Sequence, residues 1–151
     1  TETALKKYGS SFKNIHFAMH GLFEAEKPLS SGLFLAPDNE NDGRLTVSEL
    51  YDLDLNADLV TLSACETALG ETKSGDDVIG FTRGFLYAGA NSIVSSLWEV
   101  DDEATRDLML RFYKELKSNN KARALQKAQL RVMKKYPHPY YWAAFQLTGQ
   151  Y

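Results

Sequence analysis

The sequence predicts an α/β fold, with a mostly parallel sheet covered by helices. Three observations carry that expectation. Short apolar runs of strand length stop at glycine or proline. From Thr46 onward such runs alternate with segments of helical period. The runs are nearly continuous in apolar residues, as strands buried on both faces require, so parallel strands joined by right-handed crossovers are expected. At 151 residues, 44% hydrophobic and 25% charged, the chain has the usage of one globular domain.

The elements follow in order. KNIHFAMHG (13–21) is a strand-length run stopped by Gly21, and GLFLAP (32–37) is another stopped by Pro37. DLVTLSA (58–64) and NSIVSSLW (91–98) repeat the pattern. Helices are expected over 47–51 behind a Thr46 cap, and over 76–87, 102–117 and 121–135. Within GFTRGFLYAGA (80–90) the apolar spacing suits a helix packed on the sheet, with Gly89 ending it. YYWAAFQLTG (140–149) reads as a final strand after the Pro-His-Pro break.

Composition removes several functions. A formal net charge of −3 offers no basic field for a phosphate backbone, so no direct nucleic-acid binding is expected. The longest uncharged stretch, 84–98, falls short of the roughly twenty apolar residues of a membrane span, so no membrane partner is expected. Residues 1–13 are polar, carry Lys6, Lys7 and Lys13, and have no apolar signal core. The single cysteine, Cys65, cannot form an internal disulfide. A reducing compartment such as the cytoplasm fits.

DNENDGRLTVSE (38–49) nearly matches the calcium-loop pattern, with Asp38, Asp42, Gly43 and Glu49 on pattern and Glu40 off it. An EF-hand needs a helix entering the loop, and SSGLFLAP supplies a strand-like run ended by proline. The sequence therefore favours a polar turn with Gly43 at its tightest point, followed by a Thr46–Glu49 capping box. One cysteine and three histidines give no zinc-site spacing, and no phosphate-binding glycine loop is present. No metal or cofactor is implied.

Two residues close strands of the inferred sheet, His20 before Gly21 and Cys65 after Ser63-Ala64. In open parallel sheets ligands gather at the carboxyl ends of the strands. A thiol attacks as thiolate, and an imidazole can take its proton and return it to a leaving group. A lone cysteine after an apolar strand is by default a core residue. Its pairing with His20, in the right chain order and near the sequence separation known in caspases, shifts the reading toward a nucleophile. His16 is expected to be structural, set against the sheet, and His138, between two prolines, carries no chemistry.

The order of HFAMHG, GRLTVSEL, ADLVTLSACETALG, GFTRGFLYAGANSIVSSLWEVDDEAT, FYKEL, a basic helix and a terminal YYWAAFQLTG resembles the CHAT domain family, caspase-like cysteine peptidases of clan CD often joined to TPR repeats. The resemblance runs through nearly the whole chain. It implies a caspase-like three-layer αβα sandwich with a mostly parallel sheet incomplete at its N-terminus, residues 1–151 forming the C-terminal portion of one such domain. It also implies His20 as base, Cys65 as nucleophile, and Gly21 with the Cys65 amide as oxyanion contacts. The loop after the next strand would line the substrate channel, with Ser96, Trp98 and Asp101 as substrate contacts; Trp98 in the core and Asp101 as a helix N-cap is the competing assignment.

SACET stands where caspases have QACRG, so a preference for aspartate is not carried over. The function implied is a cysteine endopeptidase acting on a protein or peptide, inside a parent protein with TPR repeats. The alternative is a catalytically silent interaction module of the same fold. A sheet lacking its first strands exposes an edge, so a homodimer through that edge is expected.

Overall fold

The computed structural model describes residues 1–22, 24, 26–63, 65–66 and 76–151, the side chains of 65–66 and 76–79 excepted. The main sheet has the order β1 (Asn14–Phe17), β5 (Leu59–Leu62), β7 (Ser92–Ser96), β8 (Phe145–Gly149). β1–β5 and β5–β7 are parallel, and β8 closes the sheet antiparallel to β7. A second, smaller sheet runs β4 (Arg44–Thr46), β3 (Gly32–Phe34), β2 (His20–Leu22), β6 (Cys65–Glu66). Its β2–β3 and β3–β4 pairs are antiparallel, while β2–β6 is parallel.

Alternation along the strands builds the three layers. Val60, Leu62 and Ile93 pack against α2 (Val47–Leu50) and α3 (Asp76–Tyr87) through Leu50, Phe81 and Phe85. Leu59 and Val94 face the opposite way, toward Leu108, Phe112, Leu125 and Val132 of α4 (Asp102–Leu116) and α5 (Lys121–Lys135). The two central strands, β5 and β7, thus bury both faces, as their unbroken apolar runs required, while β1 and β8 at the edges are partly exposed. This is the α/β sandwich expected, with four of its helices at the expected positions.

An additional helix, α1 (Glu2–Tyr8), lies in the segment read only as polar. Thr1 caps it, and its buried Glu2 accepts a hydrogen bond from the Gly43 amide at 3.1 Å, fixing the helix to the 38–43 turn. In that turn Asp38 Oδ1 accepts from the Glu40 and Asn41 amides, both at 3.0 Å. These bonds, the Glu40 amide first among them, hold its carboxyl well below the usual range. Gly43 has φ +86°, and a Cβ there would meet Leu35 O at 2.6 Å, so glycine is required. The Thr46–Glu49 capping box is formed in both directions. The near-match to a calcium loop is therefore built as a turn followed by a helix start. Gly89, φ +98°, ends α3 as expected, its Cα facing Leu55 O.

Three boundaries differ from the sequence expectation. The 13–21 run is two strands, because β1 follows β5 only as far as Phe17–Leu62 and pairing resumes at His20–Cys65. The 32–37 run contributes only Gly32–Phe34, and it belongs to the small sheet. In the 140–149 run the tyrosines form a 3-10 turn over Pro139–Tyr141, and strand pairing begins at Phe145.

Candidate active site

His20 and Cys65 do not end strands of the main sheet, as expected, but open the next ladder along the same two chain paths. They are direct Cα partners in the parallel β2–β6 pair, which sets their backbones at the inter-strand spacing of about 4.8 Å. His20 is exposed. Gly21 sits between two strands, in register with Leu33 on one side and Glu66 on the other. The Cys65 side chain and Ala64 lie outside the described residues, as does the 67–75 stretch that follows.

Among the described residues, two cavities meet at His20. The first, about 500 Å³, lies where the ends of β1 and β5 pass α4. Much of its wall is apolar, from Ala18, Met19, Met109, Leu110 and Tyr113, and Asp102 and Arg106 of α4 also line it. The second, about 420 Å³, joins His20 to Glu99, Asp101, Asp102, Tyr140 and Tyr141.

At the inner edge of the first cavity the His16 Nε2 and Ser63 Oγ are 2.7 Å apart, with the direction of the bond set by the imidazole tautomer. The His16 ring lies 5.6 Å from that of Tyr113. Although its edge is exposed, desolvation of the ring holds His16 below the usual imidazole range, so it is neutral at pH 7. Burial raises the Tyr113 phenol, partly offset by the bond its hydroxyl donates to Thr61 Oγ1 at 2.9 Å. The Ser63 amide also donates to Phe17 O at 3.0 Å. These bonds pin the end of β5 to the end of β1, two residues before His20 and Cys65 come into register. His16 therefore has the structural position expected, and it also faces a cavity. His138 caps the 3-10 turn through Nδ1, which accepts from the Tyr140 amide.

The three substrate-contact candidates separate. Asp101 caps α4, accepting from the Ala104 amide at 2.8 Å, and also lines the second cavity beside His20. Trp98 is half-buried against the α4/α5 core and donates its indole N–H to Tyr140 O at 3.1 Å. Ser96 ends β7 opposite Phe145. Neither Ser96 nor Trp98 lines the cavities at His20.

The sequence reading missed the α4 side of the site. Thr105, Met109 and Tyr113 recur every four residues and so share one helix face; that spacing was a usable signal. Among the described residues no helix is long and apolar enough to cross a membrane.

Comparison with known proteins bears on the same residues. The family model described as the CHAT domain matches residues 1–150. Tetratricopeptide repeat protein 28 of Mus musculus is 36% identical over 108 residues, and its Homo sapiens counterpart is 35% identical over 108 residues. Each match covers 70% of this chain and 4% of the relative. The chain thus spans a small fraction of the length of these curated relatives.

Proposed function

The chain belongs to the CHAT domain family, a caspase-like family, and from that premise we propose that it is a cysteine endopeptidase acting through a His20–Cys65 dyad. The observation that carries the reading is the Cα register of His20 with Cys65 in adjacent parallel strands. A base must come within hydrogen-bond reach of the proton it takes, and backbones on neighbouring strand positions support such an approach of the two side chains.

In the proposed reaction His20 removes the thiol proton and the Cys65 thiolate attacks the peptide carbonyl carbon. Electrons move onto the carbonyl oxygen, which the Cys65 backbone amide, beside the side-chain-free Gly21, stabilises as an oxyanion. Collapse of that intermediate breaks the C–N bond, and the proton held by His20 passes to the leaving amine. Water, deprotonated by His20, then attacks the acyl-enzyme and releases the acid with regeneration of the thiol. Substrate enters from the side of Asp101, whose carboxylate, with Glu99 and Asp102, favours a basic side chain in the second cavity. Trp98 and Ser96 support that loop; with the indole N–H bound to Tyr140 O, direct substrate contact falls chiefly to Asp101.

The proposal extends to a place beside TPR repeats, suggested by the names of the relatives, to a cytoplasmic setting, which the single cysteine fits, and to self-pairing through β1, an edge strand of the main sheet. Those same names are equally compatible with a second reading, a binding module with no turnover. A peptide library incubated with the full-length protein separates the two. Cleavage that disappears in Cys65→Ala supports the peptidase, and cleavage that persists in Cys65→Ala removes Cys65 as nucleophile. Binding without cleavage supports the module.

A further inference from the structure

We infer that the apolar cavity between β1, β5 and α4 receives one large apolar side chain of a bound peptide, next to the bond presented to His20; the inference rests on the peptidase reading for the identity of that bond. The cavity and the proposed dyad share His20 as a common wall, so a peptide lying across His20 must place a neighbouring side chain at its mouth. About 500 Å³ falls in the range of small ligand sites. A stable protein interface, by contrast, buries about 800 Å² on each partner, far more than this opening provides.

The chemistry of the walls selects the occupant. Met109 is buried and Tyr113 half-buried at the base, while Leu110, 60% exposed, stands at the mouth. Of the polar atoms on its lining, His16 Nε2 and Ser63 Oγ are bound to one another, and the Tyr113 hydroxyl is bound to Thr61. These polar groups already have partners; Asp102 and Arg106 are the charged residues on the lining, and against Met19, Met109 and Tyr113 a charged side chain would lose water without a partner. A Leu, Met or Phe side chain loses nothing and covers Leu110. The second cavity, lined by Glu99 and Asp101 as well as Asp102, shares His20 and Asp102 with the first, so acidic character rises on passing from the first cavity to the second.

The test uses the full-length protein with Cys65→Ala and fluorescent capped tetrapeptides carrying Leu, Met, Phe, Ala, Asp or Lys fixed at each position in turn. Binding is read by polarisation, and cleavage of the same peptides by the protein with Cys65 intact. One position should prefer Leu, Met or Phe over Ala by about 100-fold. Leu110→Asp, which charges the mouth, and Thr105→Trp, which fills the cavity from α4, should abolish that preference, while Leu110→Met keeps it. Leu110 is exposed, so its variants are expected to fold. Absence of an apolar preference at every position, or a preference unchanged in both disruptive variants, overturns the cavity assignment even if the peptides are cut. Apolar preference in binding with no cleavage supports the cavity and removes the peptidase reading. A fall in sedimentation mass for Leu110→Asp with peptide binding unchanged overturns the inference in favour of a second copy of the chain.

Discussion

Two chain paths run through both sheets, and burial changes along them, although Leu33 and Leu45 of the small sheet are buried in the same core as Val60 and Leu62. In the main sheet all four residues of β5 are buried, and so are Ser92, Ile93, Val94 and Ser95 of β7. In the small sheet His20 is exposed and Phe34 is 45% exposed. β1 passes into β2 and β5 into β6 across two-residue breaks at 18–19 and 63–64. A strand covered by helices on both faces supplies rigidity but admits no substrate; two residues further on, the same strands leave the helical layers while keeping neighbouring positions. On the proposed reading, stability rests chiefly on the central strands of the first sheet and chemistry on the second.

Substitutions test that division, beginning with the largest effect. Cys65→Ala should lower peptide hydrolysis by at least about 10³-fold with an unchanged far-ultraviolet spectrum, because the small sheet contributes chemistry. His20→Ala should be equally damaging to turnover yet shift unfolding free energy by no more than about 0.5 kcal/mol, as exposed positions do. The reverse pattern is expected beneath the main sheet: Phe112→Ala, at a fully buried position, should cost about 3–5 kcal/mol by urea denaturation.

A smaller effect is expected at the base of the main sheet, where buried Lys121 donates to Asp58 Oδ1 at 2.7 Å. Asp58 is half-exposed, so Asp58→Asn should cost about 1–2 kcal/mol at pH 7, less than a fully buried pair. The Lys121 hydrogen bond lowers the Asp58 pKa below its unfolded value of about 3.9. Its stabilisation is therefore complete above that unfolded value and is lost as pH falls through the folded one. Urea midpoints of the two proteins should differ at pH 7 and converge in acid. Thr46→Ala, which removes the capping box at the start of α2, should cost about 1 kcal/mol.

Legibility in the sequence followed the same division. β5, β7 and the three long helices were readable because burial imposes unbroken apolar strands and a helical period, and the pairing of His20 with Cys65 was readable because both follow such runs. The break after Phe17 was not: Ala18 and Met19 are ordinary strand residues, and only the register of the partner strand shows where one sheet stops. Helix α1 escaped because its anchor, Glu2 to the Gly43 amide, joins residues 41 apart. Asp101 took the competing assignment, capping α4, and it also lines a cavity with His20, a proximity that no linear spacing displays.

The central claim is that His20 activates Cys65. The most direct measurement is the rate of iodoacetamide alkylation of Cys65 in the folded full-length protein against pH, for the native sequence and for His20→Ala. Reaction near pH 6 in the native protein, lost or displaced to higher pH in His20→Ala, is the result predicted. Identical pH profiles in the two proteins, or a thiol that reacts only after unfolding, would contradict it.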